Sequence, residues 1–234
     1  MSLSPNSLAL EAFGNAAARV PAYQQILREA GVRAERIRNP TDFEQLPVLE
    51  KSGTFQRFDL QDLCVDGFLG RPGTVITSSG HSGIFAFGVT DSDALEASVT
   101  WIDDSLDVLF AVRTRPTLLV NCLPMGVKVP SRACTLADTS VRPDMAVGLI
   151  KSFGRHFAQV IIVGEAAFLK HVLEVGKRSG LAWRDHLVHM ILGEEPLAEN
   201  ARRHLGRTLG HDPSRPENGT RHGFWPKAAA SRSS

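Results

Sequence analysis

Apolar residues recur along this chain with two different rhythms, and the change falls near Thr74. Before it, "PAYQQILREAGV" sets Tyr23, Ile26, Leu27 and Ala30 at helical spacing and stops at Gly31, a residue suited to a helix C-terminus. "NPTDFEQLP" starts a second helical piece, with Thr41 and Glu44 three apart as in a capping box and Pro47 preventing simple continuation. The first 60 residues read as helical packing rather than chemistry.

From Thr74 onward short apolar runs alternate with helical ones. The strand candidates are "TVIT", "IFAFGV", "TLLVN", "QVIIVG" and "VHMILG". Between them, "DSDALEASVTWIDDSLDVLF" carries Leu95, Val99, Ile102, Leu106 and Leu109 along one helical face, and "EAAFLKHVLEVGKRSG" and "LAENARRHLGRTLG" are further amphipathic helices. This alternation predicts an α/β fold: an N-terminal helical segment followed by a mostly parallel sheet with flanking helices. Residues 1–210 carry the pattern. Residues 211–234, "HDPSRPENGTRHGFWPKAAASRSS", have neither period and read as a tail, disordered unless Phe224 and Trp225 dock locally.

Composition narrows the partners. With 234 residues, 43% hydrophobic and 22% charged, the chain has ordinary globular composition and enough length for a sizeable core. Lys and Arg number 26 against 25 Asp and Glu, so the formal charge of +1 provides no basic face for nucleic acid or an anionic membrane. Small molecules or proteins are the expected partners, with a homo-oligomer left open. Cys64, Cys122 and Cys134 form no C-x-x-C pair and are odd in number, which argues against a zinc site and a disulfide framework. The N-terminal "MSLSPNSLALEAFGNAAARV" lacks a basic start and a continuous apolar segment, and a cytoplasmic protein is expected.

Candidate chemistry concentrates in "VITSSGHSGIFAFG". Gly83 to Thr90 has Walker A glycine spacing, but Val89 stands where the lysine belongs. "GHSGI" fails as a hydrolase elbow because Ile84 replaces the last glycine of G-x-S-x-G. What remains is a glycine-interrupted loop whose Ser78, Ser79 and Ser82 hydroxyls can donate to phosphate oxygens beside backbone N–H groups, with Gly80 and Gly83 permitting positive φ. Local chemistry alone favours a serine-rich turn over a phosphate-binding loop. His186, His189 and His204 lack a matching Cys, Asp or Glu constellation, so no metal site is assigned. Glu194 and Glu195 are adjacent and would face opposite ways on a strand, which argues against a paired acid and base.

Three ordered segments, "VPAYQQILREAGV", "DFEQLPVLEKSGTFQRF" and "TSSGHSG", together resemble the opening of phenylacetate-CoA ligases and the related CapK-like proteins of the adenylate-forming superfamily. The superfamily's signature loop commonly reads S-S-G-T-T-G; here it would be Ser78, Ser79, Gly80, His81, Ser82 and Gly83. "FAQVIIVGEAAFLKHVLEVG" looks like the strand and helix behind the acyl pocket. "MILGEEPLAENARRHLG" looks like the G-x-E-P-L stretch bordering adenine, carried by Gly193, Glu194, Glu195, Pro196 and Leu197. The resemblance, over about residues 16 to 210, implies the large domain of an adenylate-forming enzyme, with ATP and Mg as cofactors, CoA as an acceptor, and a carboxylate substrate.

His81 replaces the first common threonine, and Ile84 with Phe85 replaces the Lys-Pro or similar pair that often follows the loop, removing a cation for the terminal phosphates. The family's Y-G-x-T-E-like magnesium motif, ribose-binding aspartate, hinge and C-terminal lysine have no counterpart, so no catalytic residue is assigned. The resemblance implies a truncated ligase, impaired or inactive alone, whose tail reads as a shifted frame. The alternative is a non-catalytic module binding a nucleotide, an acyl group or a protein.

Overall fold

A computed structural model describes residues 5–70, 72–78, 83–124, 127–193 and 198–211. The described chain forms two compact units that divide after Ala94.

The first unit begins with helices α1 (Pro5–Arg19) and α2 (Pro21–Glu29). Gly31 ends α2 at φ 65°, and Val32 N–H returns to Leu27 O at 2.9 Å, the glycine-terminated stop predicted from the sequence. Phe13 meets Tyr23 edge-on at 6.2 Å and Phe43 at 5.8 Å, joining both helices to the 3-10 turn Pro40–Gln45. The capping box of that turn belongs to Asn39 and Asp42, not to Thr41 and Glu44. Pro40 drives Asn39 into extended backbone (φ −144°, ψ 162°), so Asn39 is the residue outside the turn and Thr41 is already within it. A one-turn helix α3 (Lys51–Thr54) follows. Strands β1 (Gly73–Thr77) and β2 (Phe87–Asp91) then pair antiparallel as a separate two-stranded ribbon.

The second unit holds a four-stranded, wholly parallel sheet in the order β4-β3-β5-β6. Its strands are β3 (Thr117–Asn121), β4 (Thr135–Asp138), β5 (Gln159–Glu165) and β6 (Val188–Gly193). Helices α4 (Ser92–Phe110), α5 (Pro143–Phe153), α6 (Ala166–Arg178) and α7 (Glu199–Leu209) complete it, α4 starting before the boundary. Residues alternate across the sheet as strand geometry requires. Leu118, Val120, Val160, Ile162 and Val188 pack with α5, α6, α7 and Trp183, while Leu119, Ile161 and Val163 pack with Leu106 and Phe110 of α4. Helices therefore cover both faces, which is why β3 is buried along its whole length.

Gly176 on α6 lies against the Trp183 indole, which is anchored by its Nε1 donating to Leu173 O at 3.1 Å. A Cβ there would stand 2.4 Å from Trp183 Cζ2. Helix propensity alone favours Gly→Ala by about 1 kcal/mol. We nevertheless expect Gly176→Ala to destabilise the chain, by about 1–3 kcal/mol in urea unfolding, because the indole must leave its bonded position. A stabilised variant would contradict this packing.

At the start of α7, Glu199 accepts from Arg202 at 2.6 Å and Arg203 at 2.9 Å, and these bonds hold its carboxyl down at about 2. Its ionised form is favoured by the fold, so its contribution is full above the ordinary 4.5 and fades as pH falls toward about 2. Helical circular dichroism of the wild type should show an extra acid-side loss in that window that Glu199→Gln lacks. Superimposable acid titrations would refute the assignment.

Candidate functional site

In the first unit, the β1–β2 turn is closed at its base by one serine. Ser78 N–H donates to Ala86 O at 2.9 Å, and Ser78 Oγ accepts from Ala86 N–H at 3.0 Å. Lys51, at the first position of α3, reaches this base: its Nζ donates to Ser78 Oγ at 3.2 Å and to Ile84 O at 3.4 Å. An ammonium has three N–H donors, so among the described residues one remains after these two bonds. Gly83 has φ 77°, a conformation that favours glycine and turns the chain at the end of the loop. A partly buried cation and a serine hydroxyl thus meet at the base of a glycine-containing turn, an arrangement able to hold an anion.

Sequence reasoning missed Lys51. It stands in "DFEQLPVLEKSGTFQRF", one of the segments that carry the resemblance, but 27 residues before Ser78, and no role was assigned to it there. A second signal was the loop's own lack of a cation, with Ile84 and Phe85 following Gly83. The structure brings Ser78, Gly83 and Lys51 into one turn region; Ser79, Gly80, His81 and Ser82 lie outside the described residues. The first unit also has an apolar cavity of about 510 Å³, lined by Phe13, Tyr23, Phe43, Phe55 and Phe87, with Lys51 and Glu50 on its wall.

In the second unit, β3 and β5 are neighbours whose onward connections leave in opposite directions, β3 toward β4 and β5 toward β6. Parallel sheets bind ligands outside the carboxyl ends of their strands at such a switch point. A cavity of about 770 Å³ opens there, lined by Leu123 beyond β3, Val163 of β5, Ile191, Leu192 and Gly193 of β6, and Ile102, Leu106 and Leu109 of α4. Gly193 is the member of the predicted G-x-E-P-L stretch that the structure describes, and it belongs to this cavity. Glu194, Glu195, Pro196 and Leu197 lie outside the described residues.

Two buried side chains hold the loop beyond β3 that supplies Leu123, Lys128 and Val129 to the wall. Asn121 accepts from Leu123 N–H at 3.1 Å and donates to Val127 O at 2.7 Å and Asp138 at 2.9 Å. Asp103 of α4 accepts from Ser131 Oγ at 2.5 Å and Arg132 N–H at 3.1 Å. Desolvation raises the Asp138 carboxyl, but hydrogen bonds from Lys128 and Asn121 outweigh it and leave the net shift downward. Burial pushes the Cys122 and Cys134 thiols up, which disfavours the nucleophilic thiolate at both.

No protein-family model and no curated protein matches the chain. Solved structures do. An open conformation of 2-hydroxyisobutyryl-CoA ligase with 2-HIB-AMP and CoA superposes with a TM-score of 0.66 at 16% identity, over 88% of this chain and 50% of the ligase. The same ligase with both ligands in the thioesterification state gives 0.64 at 16%, over 86% and 45%. Its postadenylation state with R3-HIB-AMP gives 0.63 at 15%, over 86% and 45%. The chain thus spans about half the length of these ligases. Over that span it has the fold of an adenylate-forming acyl-CoA ligase.

Proposed function

We propose that the chain supplies the phosphate-binding and acyl-binding parts of a ligase that joins a carboxylic acid to a thiol through an acyl-adenylate, of the phenylacetate-CoA ligase and CapK-like group. In such a reaction a carboxylate oxygen attacks the α-phosphorus of ATP, the bond to the β-phosphate oxygen breaks, and pyrophosphate leaves. A thiol sulfur, coenzyme A in this reading, then attacks the acyl carbonyl and AMP departs.

The observation that carries the reading is Lys51 Nζ on Ser78 Oγ and Ile84 O. Negative charge on the phosphates is the main electrostatic burden of the first step, and a pre-positioned ammonium with serine hydroxyls and turn N–H groups meets it. Ser79, Gly80, His81 and Ser82 are assigned to the same loop, and Glu194, Glu195 and Pro196 with Gly193 to the adenine side. The cavity at the strand ends, closed to hydrogen bonding over most of its wall, is assigned to the acyl group. Among the described residues no three His, Cys, Asp or Glu side chains gather as a metal site, so no magnesium ligand is assigned and no step is derived through that ion.

Since the chain spans half of the ligase fold, the 234-residue polypeptide alone is proposed to bind without turning over. Calorimetric titration of ATP tests the first half of this. Weak binding is expected, and a Ser79→Ala, Ser82→Ala double variant should lower it by roughly two- to tenfold for each hydrogen bond lost. Unchanged binding would return the loop to a serine-rich turn. Incubation with ATP, magnesium, CoA and a panel of acids tests the second half; robust acyl-CoA formation would overturn the binding-only reading.

A further inference from the structure

Resting on the assignment of the strand-end cavity to the acyl group, we propose that its substrate is a medium-chain aliphatic acid, in preference to an aryl or short hydroxylated one. Three observations of the cavity support this choice.

The first is its chemistry. Among the described residues, every apolar side chain on the wall is isoleucine, leucine or valine, and no aromatic ring lines the space. An aryl group gains up to about tenfold in affinity from stacked or edge-on ring contacts, and this wall has none to offer. An alkyl chain loses nothing by their absence, since dispersion and desolvation are non-directional.

The second is the state of the polar residues at the wall. Ser105 Oγ donates to Trp101 O at 2.7 Å within its own helix. Asp104 pairs with Arg113 at 2.5 Å and Lys128 with Asp138 at 2.5 Å, and their side chains are 61% and 65% exposed, so the charges stand in water at the rim. Among the described residues of the wall, a hydroxyl carried into the interior finds only the acceptor lone pairs of Ser105 Oγ, and one that does not reach them loses about tenfold or more in binding. The solved ligases of similar fold bear a 2-hydroxyisobutyryl group; the cavity of this chain is lined against such a group.

The third is size. About 770 Å³ lies well within the range that encloses drug-sized ligands and far exceeds what a four-carbon acid fills.

Calorimetry on the intact chain with hexanoate, octanoate and decanoate below their micelle concentrations reads the inference directly. Binding should tighten with each methylene, by up to about fourfold. Phenylacetate, which has the same number of carbons as octanoate, and 2-hydroxyisobutyrate should both bind more weakly than octanoate. Leu109→Asp on α4, whose site is partly open to water, should abolish the chain-length ladder, and Val129→Phe, which fills the space from the loop, should shorten it. Circular dichroism checks that both remain folded. Absence of a ladder, a phenylacetate affinity equal to that of octanoate, or a ladder untouched by both substitutions overturns the inference. ATP titration of the same samples separates the two levels: nucleotide binding without acid selectivity leaves the ligase reading standing and removes only the substrate class, whereas acid selectivity without nucleotide binding keeps the cavity's preference and removes the ligase reading.

Discussion

Replacing Lys51 with methionine is expected to weaken ATP binding by about ten- to a hundredfold, the cost of one charge-assisted hydrogen bond. Methionine keeps most of the side chain's length and packing, so the change isolates the ammonium. Lys51 also ties Ser78 to Ile84, and loss of that tie would disturb the turn even if no phosphate ever touched the lysine. Comparing AMP with ATP distinguishes these effects. A cation that meets the terminal phosphates matters for ATP and little for AMP, whereas a turn-holding lysine affects both alike. Binding to the wild type should also fall more steeply with salt than binding to the variant, and Lys51→Arg should recover part of the affinity. Equal ATP affinities for wild type and Lys51→Met would remove the phosphate assignment.

Lys51 also illustrates what the sequence could and could not convey. The central sheet was legible because "QVIIVG" and "VHMILG" are short, nearly continuous apolar runs, and parallel strands covered on both faces require such runs. β4 was not: "TLAD" is a four-residue edge strand, largely exposed, and too short for a period to emerge. Signals for α5 were present, with Pro143 at the first turn and Ala146, Val147 and Ile150 on one face, but they went unread between stronger neighbours. "TVIT" and "IFAFGV" look like core strands in composition, yet β1 and β2 form their own antiparallel ribbon with Val75, Ile76 and Phe87 exposed. Apolar composition marks strand-forming residues without saying which sheet they join.

For the candidate site the limit was distance along the chain. Ser78 and Gly83 stand within one motif and could be found by spacing. Lys51 and the cavity wall are assembled from residues far apart, Ile102 and Ile191 among them, and only the strand order brings the latter together at a switch point.

Ile162→Ala should cost the second unit about 2–5 kcal/mol, a large share of the roughly 5–15 kcal/mol that stabilises a typical domain. β5 lies between β3 and β6, so Ile162 has a strand on either side and helices over its face, and none of its surface reaches water. It packs in the cluster of Leu118, Val120, Ile150, Leu169, Val172 and Trp183, where the space left by the lost atoms has little means of collapse. Ile161, one residue earlier, points to the opposite cluster with Leu106, Phe110 and Leu119. Val108→Ala on exposed α4 surface provides the comparison and should change stability by less than about 0.5 kcal/mol. Trp183, buried against the same cluster, makes tryptophan fluorescence a reporter of this unit during urea unfolding. If Ile162→Ala unfolds at the same urea concentration as Val108→Ala, β5 is not the central buried strand, and the switch-point cavity beside it loses the framework that defines it.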